Sequence, residues 1–414
     1  MTLLLLHLKN NQQKPSIMIR KAIIFFQLLL LSTLSFSQWN QITNYPGSAT
    51  DGAPSFTIGN YAYVGGGIGS KAFYRFDPSN DSWTQLADIP SGNNRGWAFG
   101  FVINGKAYVC GGDKTGSFDV YKNVQEYDPA TDTWTQKANL PIAMDGAFAC
   151  SVNGKGYVIG GFNGSAAIAN VYEYDPTADT WTTKTSYPGG QAIFPSGFVI
   201  DNKIYVGLGS ASGMAGSKLF YQYDPSNNSW NQKATFPGSA RQACIGFAIG
   251  HTGYIGGGEE NYSSMFFDFY KYNPYTNSWT KENSLNIQSG TAAAWCSSFV
   301  IGTTAYYGLG ASFAGGNLNY SKKFYKASIP LSFENIDKEQ KLEIFPNPAH
   351  DKINIKLPTN FKPTGIIIIN SLGKKCLDYS SYSNEINIGS LSKGVYIIEI
   401  LSERQTLKSK LIIQ

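Results

Sequence analysis

A ten-residue motif recurs five times along this 414-residue chain, and it constrains the fold more than any other feature. The copies are YRFDPSNDSW, QEYDPATDTW, YEYDPTADTW, YQYDPSNNSW and YKYNPYTNSW, which end at Trp83, Trp134, Trp181, Trp230 and Trp279. With Trp39 ahead of them, successive tryptophans lie 44–51 residues apart. Because roughly 40–50 residues is the period of a propeller blade, we predict a β-propeller.

Each repeat also contains a strand, a two-residue turn and a second strand that ends in glycines, as in GFVINGKAYVCGG at 100–112. Asn-Gly between apolar runs predicts a tight hairpin, since both turn residues need positive φ. The ten-residue motif adds a third strand, an Asp-Pro turn and a fourth strand at the tryptophan. An Asx residue that tolerates the left-handed conformation stands two positions before each of these tryptophans: Asp81, Asp132, Asp179, Asn228 and Asn277. The repeat therefore predicts four antiparallel strands, a to d.

The glycines after strand b, the aromatic residue in strand c and the tryptophan of strand d together resemble the Kelch repeat. Six blades follow from the tyrosines of strand b, which are Tyr63, Tyr108, Tyr157, Tyr205, Tyr254 and Tyr306. The fourth and sixth repeats depart from Gly-Gly and read GLG at 207–209 and 308–310. The resemblance implies a Kelch propeller over residues 38–330.

The two ends of this region complement each other. The sixth repeat runs through KKFYKA at 322–327 and lacks its tryptophan, whereas SQWNQI at 37–42 has a tryptophan with no strands before it. We predict that the N-terminal strand completes the last blade, because ring closure removes an exposed sheet edge. The predicted fold class is thus all-β, a six-bladed Kelch-type propeller closed by its N-terminal strand and followed by a small β-sandwich.

The first 37 residues have the pattern of a leader with a signal peptide. MIRKAIIFFQLLLLSTLSFSQ, at 18–38, has a basic start, a short apolar run and small residues before a cleavage site expected after Ser37. Residues 1–17 add nothing that a signal needs, which makes Met18 a candidate start. Four basic residues fall in this leader, and 29 basic and 28 acidic residues remain. This near-neutral balance argues against nucleic acid as a partner.

The last seventy residues form a separate region. The charged stretch at 331–340 is expected to be a linker, and the alternating strands and glycine turns of 341–414 predict a small β-sandwich. In order, its motifs resemble the type A C-terminal sorting domain of the type IX secretion system. The matching residues are Pro346, Asn347, Pro348, Gly373, Gly394, Tyr396, Lys408 and Lys410, whereas Asn370 stands where the family commonly has Asp. The resemblance implies export by the type IX machinery, removal of the domain by its sortase, and a secreted or cell-surface product.

Few residues in the chain are suited to metal or redox chemistry. The only histidines are His7, His251 and His350, in three separate regions, so neither a histidine-based metal centre nor a catalytic triad is expected. The Asp-Pro turns supply too few oxygens for calcium. No glycine-rich loop joins a strand to a helix as in phosphate-binding sites. We therefore predict no cofactor and no metal, and we expect a monomer.

Candidate binding residues come from aligning the repeats. Arg95 and Arg241 occupy one register, thirteen residues before the strand-b tyrosine in opposite blades two and five. Asp51 and Asp145 lie one residue later in blades one and three. Loops at this end of a propeller line the channel mouth, where binding sites are common. The arginines could hold a carboxylate bidentately, or they could pair with the two aspartates and serve only stability.

Two positions after the arginines, large and small residues alternate around the ring: Gly52, Trp97, Gly146, Phe194, Ala243 and Trp295. One interpretation is packing, with three aromatic rings filling a channel that six could not share. The other is a stacking floor for a sugar, made by Trp97, Phe194 and Trp295.

The loops between strands b and c bring further polar side chains to the same rim. They are Glu259, Glu260 and Tyr262 in blade five, and Asp113 and Lys114 in blade two. Each of these charges could equally be an ordinary solvated loop residue.

Three functions remain open on the sequence. The first is a surface or secreted binding protein that recognises an anionic glycan or a protein at the face of Arg95 and Arg241. The second is an enzyme, because secreted six-bladed Kelch proteins resemble sialic acid mutarotases, which also use polar residues at the channel mouth. There Glu259 or Glu260 beside Arg241 would be weak candidates for acid–base work. The third is a scaffold without a small ligand.

Overall fold

The structure is a computed structural model of the chain. It describes residues 39–90, 95–114, 119–211, 215–314, 317–329, 342–357, 361–402 and 406–414. The predicted leader and the predicted linker at 331–340 lie outside the described residues.

The third repeat illustrates how the sequence builds a blade. Phe148–Val152 and Lys155–Ile159 form strands a and b around a turn in which Asn153 has a φ of 50°. Strands c and d are Val171–Asp175 and Thr180–Thr183, and Asp179 between them has a φ of 52°. The predicted left-handed Asx residues are confirmed in all five copies of the motif. Four consecutive residues of strand b are buried, and because successive side chains point to opposite faces of a sheet, each blade is packed on both faces.

Among the described residues, 39–329 form six four-stranded antiparallel sheets, one for each repeat. Blade one contains β2 (Ser55–Ile58), β3 (Tyr61–Gly65), β4 (Phe73–Asp77) and β5 (Ser82–Leu86). Blade two contains β7 (Phe99–Ile103), β8 (Lys106–Cys110), β10 (Val124–Asp128) and β11 (Thr133–Lys137), with β6 (Arg95–Gly96) paired to β9 (Asp113–Lys114) at its inner end. Blade three contains β12 to β15, the strands given above. Blade four contains β16 (Ser196–Ile200), β17 (Lys203–Gly207), β18 (Phe220–Asp224) and β19 (Ser229–Gln232).

The last two blades carry additional hairpins between strands b and c. Blade five contains β20 (Ile245–Ile249), β21 (Thr252–Gly256), β24 (Phe269–Asn273) and β25 (Ser278–Lys281), with the hairpin β22 (Glu259–Glu260) and β23 (Ser264–Met265). A 3-10 turn at Asn283–Leu285 follows it. Blade six contains β26 (Ser297–Ile301), β27 (Thr304–Gly308) and β30 (Phe324–Ser328), with the hairpin β28 (Ala311–Ala314) and β29 (Asn317–Tyr320).

The fourth strand of blade six comes from the start of the propeller. β1 (Asn40–Gln41) pairs antiparallel with β30, Asn40 opposite Lys326 and Gln41 opposite Tyr325. Blade one also contacts blade six through the Ser55 hydroxyl, which donates to the carbonyl of Ser298 at 2.9 Å.

The repeated tryptophans join neighbouring blades. Each indole N–H donates to a backbone carbonyl that follows strand d of the preceding blade. For Trp83 the preceding blade is blade six, whose fourth strand is β1. The acceptors for Trp39, Trp83, Trp134, Trp181, Trp230 and Trp279 are the carbonyls of Leu285, Thr43, Ala87, Ala138, Thr185 and Ala234, at 2.6–3.3 Å. Trp39 therefore makes, in blade six, the same contact that the strand-d tryptophan makes in each of the other blades.

The C-terminal region is a sandwich of two antiparallel sheets. β31 (Glu343–Phe345), β32 (Lys352–Lys356) and β35 (Glu385–Asn387) form the smaller sheet. β33 (Pro363–Asn370), β34 (Lys375–Tyr379), β36 (Gly394–Ser402) and β37 (Thr406–Ile413) form the larger one. An isoleucine-rich core that includes Ile353, Ile366, Ile368 and Ile398 lies between them. The predicted all-β fold class is confirmed for both parts.

Candidate functional site

A ring of six residues surrounds the propeller axis, one from each blade just before strand a. Gly52, Trp97, Gly146, Phe194, Ala243 and Trp295 all adopt the left-handed conformation, with φ of 51–58°. Backbone N–H groups link the ring from blade to blade: Gly146 to Trp97, Phe194 to Gly146, Ala243 to Phe194, Trp295 to Ala243 and Gly52 to Trp295, at 2.8–3.2 Å. We call this set the axial ring.

The alternation of large and small residues in the axial ring has a steric cause. A Cβ at Gly146 would lie 2.7 Å from Cε1 of Phe194, and one at Gly52 would overlap the indole of Trp97. Each glycine therefore makes room for the aromatic residue of the next blade. The three aromatic rings pack edge to face, with centroids 5.5 Å apart for Trp97 and Phe194 and 6.1 Å for Phe194 and Trp295. The packing interpretation is supported by this geometry.

The axial ring also lines a cavity, so its residues could contact a ligand as well as pack against one another. A cavity of about 170 Å³ lies in the channel. It is lined by the ring residues and by those that follow them, Ala53, Ala98, Ala147, Pro195, Ser196, Cys244 and Cys296. Trp97 remains half-buried, whereas Phe194 and Trp295 are 8% and 6% exposed. The aromatic floor is thus accessible only in part.

The two arginines do not reach the channel mouth, which counts against the carboxylate clamp. Arg95 and Arg241 are 1% and 0% exposed. Their Nη1 atoms donate to equivalent carbonyls at the end of strand b, Gly111 at 3.1 Å and Gly257 at 3.0 Å. Each guanidinium is turned into its own blade because that carbonyl attracts it. The alternative partners expected from sequence, Asp51 and Asp145, are not the ones found in the described structure.

The surroundings of the two arginines differ at one equivalent position. Arg241 forms an ion pair of 2.7 Å with Asp268, and its guanidinium lies over the ring of Phe266. In blade two the equivalent residue is Asn123, whose backbone carbonyl lies 3.4 Å from Arg95 Nη1. Burial lowers the pKa of Arg95. Each arginine therefore links the end of strand b to the start of strand c within its own blade, one with a carboxylate and one without.

Three buried carboxyl groups form the layer above the axial ring. Asp51, Asp113 and Asp145 are 1–6% exposed, and Oδ1 of each has no hydrogen-bond partner within the described residues. A Cβ at Gly96 would collide with the Asp113 carboxyl, so the glycine gives Asp113 its place. Burial raises the pKa of Asp51 to about 7, that of Asp113 to about 6 and that of Asp145 to about 8. Asp113 adds repulsion to the other two. We call these residues the carboxyl layer.

The blade-five hairpin brings an aromatic ring over the same mouth. Asn261 and Tyr262 have φ of 56° and 51°, and this turn lays Tyr262 flat on Trp295, with centroids 5.5 Å apart and planes at 17°. Tyr262 keeps 41% exposure. Glu259 is buried and accepts from the Tyr262 backbone N–H at 2.6 Å, and burial raises its pKa. Glu260 lies beside it, half-buried.

Two residues of the mouth were missed from sequence. Gln242 donates to Glu259 and accepts from the hydroxyl of Ser210, and both Gln242 and Ser210 are buried. Gln242 occupies the register of Asp51 and Asp145, so the alignment of repeats contained the signal. Asp113 was recognised only as a rim charge. Lys114 is half-buried and bonds to Asp119 at the rim.

The carboxyl layer predicts an unusual pH dependence of stability. Asp145 has a folded pKa of about 8 against 3.8 for the free side chain, so its contribution is complete below pH 3.8 and is lost as pH rises through 8. We expect the unfolding free energy to fall by about 3 kcal/mol between pH 5 and 8, and Asp145→Asn to flatten this slope.

Chemical denaturation at several pH values measures the effect. Asp88→Asn, at an exposed carboxylate, is the control and should leave the slope unchanged. Equal slopes for Asp145→Asn and the unaltered chain would contradict the prediction.

The sorting-motif residues are brought together at the end of the C-terminal sandwich. The side chain of Asn347 donates to the carbonyl of Lys410 at 2.6 Å and accepts from Ile412 N–H at 2.9 Å. Pro346 and Pro348, which flank it, follow cis peptide bonds. Tyr396 is buried and donates to the carbonyl of Ser392. The first and last motifs of the region therefore fix each other.

The remaining motif residues have separate structural roles. Gly373, with a φ of 76°, forms the turn between β33 and β34. Gly394 begins β36, and Lys408 in β37 forms an ion pair with Glu399. The predicted sandwich thus assigns a place to every residue of the motif.

The repeats, the axial ring and the linked blades define a Kelch propeller, and comparison with protein families agrees. Residues 101–310 match the family described as the KLHDC2/KLHL20/DRC7 Kelch-repeats domain. The chain belongs to this Kelch-repeat family. Residues 343–414 match the secretion system C-terminal sorting domain, which implies export by the type IX machinery to the secreted or cell-surface compartment.

Individual relatives match shorter parts of the chain. N-acetylneuraminate epimerases of Shigella boydii serotype 4 and Escherichia coli K12 are each 36% identical over 107 residues, 24% of this chain. The chain spans 29% of the length of these relatives. The solved structure of YjhT is similar with a TM-score of 0.58 and 18% identity, covering 69% of this chain and 96% of that one. This last likeness concerns the fold alone.

Two further features concern only the described part of the chain. It contains no cluster of three or more side chains arranged to hold a metal ion. It also contains no helix with the length and apolar character needed to cross a membrane.

Proposed function

We propose that this exported Kelch protein binds a carbohydrate at the mouth of its propeller. The observation that carries the proposal is the exposed face of Tyr262, stacked on Trp295 beside the carboxyl layer. Aromatic faces bind the apolar face of a sugar ring, while nearby polar groups bind its hydroxyls. The Oδ1 atoms of Asp51, Asp113 and Asp145 have no partner within the described residues, but they are buried, so a sugar hydroxyl would reach them only if the mouth rearranges.

The charges of the mouth favour one class of sugar. The carboxyl layer carries acidic groups, and the two buried arginines are engaged inside their blades. When these carboxyl groups are ionised they would repel a carboxylate on the ligand, and neither Arg95 nor Arg241 faces the mouth to balance them. A neutral or amino sugar fits this mouth better than the anionic glycan expected from the sequence, and a protein that presents such a sugar would fit equally.

A second candidate function is a mutarotase-like activity. Two observations favour it: the partial similarity to N-acetylneuraminate epimerases, and acids at Asp51 and Asp145 whose pKa values of about 7 and 8 suit proton transfer near neutral pH. Anomer exchange needs one proton removed from the anomeric hydroxyl and one added to the ring oxygen. Asp51 and Asp145 suit these roles better than Glu259, because Glu259 is already bonded to Gln242 and Tyr262. Glu260, which is half-buried beside it, stays a candidate. Arg241 is buried away from the mouth.

Titration of the full chain with sugars, followed by NMR, tests both candidates. Neutral, amino and acidic monosaccharides are compared for binding, and exchange between the anomers of N-acetylneuraminic acid is followed in the same samples. We expect Tyr262→Ala to weaken sugar binding about tenfold, since a lost stacking contact costs roughly 1.4 kcal/mol. Phe345→Ala is the control, because Phe345 is a 50% exposed aromatic residue in the C-terminal sandwich and not at the mouth.

The outcomes separate the functions. Binding without anomer exchange supports a lectin-like protein, whereas accelerated exchange that is lost in Asp145→Asn supports the enzyme. If no sugar binds and none is turned over, both candidates fail and the scaffold becomes the better interpretation.

A further inference from the structure

The propeller and the sorting domain meet at a cluster of charged side chains far from the mouth. Residues 38–414 form one compact unit. Asp201 and His251 stand in the turns between strands a and b of blades four and five, and Tyr275 stands in the c–d turn of blade five. Because a–b turns and b–c loops lie at opposite ends of a blade, this cluster is on the face opposite the carboxyl layer.

The sorting domain contributes a buried carboxylate to the cluster. Glu399 in β36 is 0% exposed, and its neighbours Ile398 and Ile400 face the sandwich core. Since side chains alternate along a strand, Glu399 points to the opposite face of the sheet. That face also carries Ile367, Ile369 and Ile397, which are 4–8% exposed and form a separate apolar cluster. This sheet therefore has two covered faces.

His251 links the two parts directly. Its Nε2 forms an ion pair with Glu399, and its Nδ1 lies 2.9 Å from Oδ1 of Asp201 and 2.8 Å from the hydroxyl of Tyr275. On the sorting domain, Lys408 lies 2.9 Å from the other oxygen of Glu399. Asp201, His251, Glu399 and Lys408 thus each have an oppositely charged neighbour in this cluster.

The charges agree with a protonated imidazole. Burial alone would lower the pKa of His251, but hydrogen bonds and negative charge from Asp201 and Glu399 raise it to about 9. Burial alone would raise the pKa values of Glu399 and Asp201. His251 and Lys408 instead lower the pKa of Glu399. His251, Tyr275 and Lys375 lower that of Asp201. A carboxylate as buried as Glu399 would strongly destabilise the folded chain if it had no positively charged partner.

We propose that the a–b turns of blades four and five form a docking surface for the sorting domain of this same chain, locked by protonated His251 between Asp201 and Glu399. The sorting domain is then carried as a fixed appendage on the face away from the mouth. Its motif lysine Lys408 is engaged through Glu399 while the domain is docked. Removal of the sorting domain uncovers Asp201, His251 and Tyr275.

The lock has a defined pH range. Because the docked pKa of His251 lies above its ordinary value of 6.5, the stabilisation is complete below pH 6.5 and is lost as pH rises through about 9. The groups facing the imidazole are Asp201, Tyr275 and Glu399. Lys375 acts on Asp201 and Lys408 on Glu399, so each carboxylate keeps one lysine nearby when the imidazole loses its proton.

Histidine NMR of the full chain tests the proposal, because the chain has only three histidines and His251→Gln identifies the resonance. We expect His251 to titrate near 9 in the unaltered chain and markedly closer to 6.5 in Glu399→Gln. Since residue 399 belongs to the sorting domain, such a change reports docking and not folding of the propeller. Glu385→Gln is the control, because Glu385 pairs with Lys352 inside the sorting domain.

A second measurement, of overall size, shows whether a variant releases the sorting domain or only disturbs the local fold. The radius of gyration from small-angle X-ray scattering should rise in His251→Gln at pH 7 and stay unchanged in Glu385→Gln. A His251 midpoint near 6.5 in the unaltered chain, or an unchanged radius of gyration in His251→Gln, would overturn the proposal.

Discussion

Replacing Arg241 by alanine is expected to lower the unfolding free energy by about 3–5 kcal/mol, because it leaves a partly buried carboxylate without its partner. Asp268 loses an ion pair of 2.7 Å, and the carbonyls of Gly257 and Ser239 lose donors at 3.0 Å. Denaturant unfolding measured by tryptophan fluorescence gives the change, together with sugar binding by the folded variant.

Blade two supplies the matched test of this explanation. Asn123→Asp should give Arg95 the carboxylate that Arg241 already has, and we expect it to stabilise the chain where Arg241→Ala destabilises it. A stable Arg241→Ala variant that has lost only ligand binding would instead restore the ligand clamp inferred from sequence.

Gly52→Ala is expected to destabilise the propeller by about 3 kcal/mol, since two costs combine. A left-handed φ of 58° costs a residue with a Cβ about 1 kcal/mol, and overlap with Trp97 adds about 2 kcal/mol of packing strain. The conflict involves the backbone of Trp97 as well as its ring, so a rotamer change cannot relieve it. Thermal and denaturant unfolding measure the loss.

Gly59→Ala isolates the conformational part of this cost. Gly59 has a φ of 60°, and a Cβ there meets nothing within 4 Å. Similar losses in the two variants would mean that the axial ring relaxes freely, contrary to the steric explanation of its alternation.

The repeat carried most of the information about the propeller. Asn-Gly at 104–105 and the Asx residues before the tryptophans have local conformational requirements, so their turns could be predicted without knowing the fold. The tryptophans recur at a fixed place in strand d, and each donates to a carbonyl of the preceding blade. The sorting domain was recognised because its motifs occur in order, and Asn347 now explains why the first and last of them occur together.

The candidate site was harder to predict, because register gives the height of a residue along a blade but not the direction of a long side chain. Arg95 and Arg241 stand at the expected height, yet the carbonyls of Gly111 and Gly257 draw them inward. Asp51 and Asp145 have short side chains and stay close to Tyr262, although they too are buried. Their closeness to Asp113 and Tyr262 depends on loops of other blades, which an alignment of repeats does not position.

The pairing of β1 with β30 couples completion of the ring to completion of the whole chain. Asn40 and Gln41 are among the first described residues to be synthesised, but their partners Lys326 and Tyr325 arrive only after every other blade. The sorting domain follows directly in sequence. A chain that ends before residue 324, because synthesis stops or a protease cuts it, lacks both β30 and the sorting domain. Because of this order of elements, every chain that contains the sorting domain also contains both strands that complete blade six.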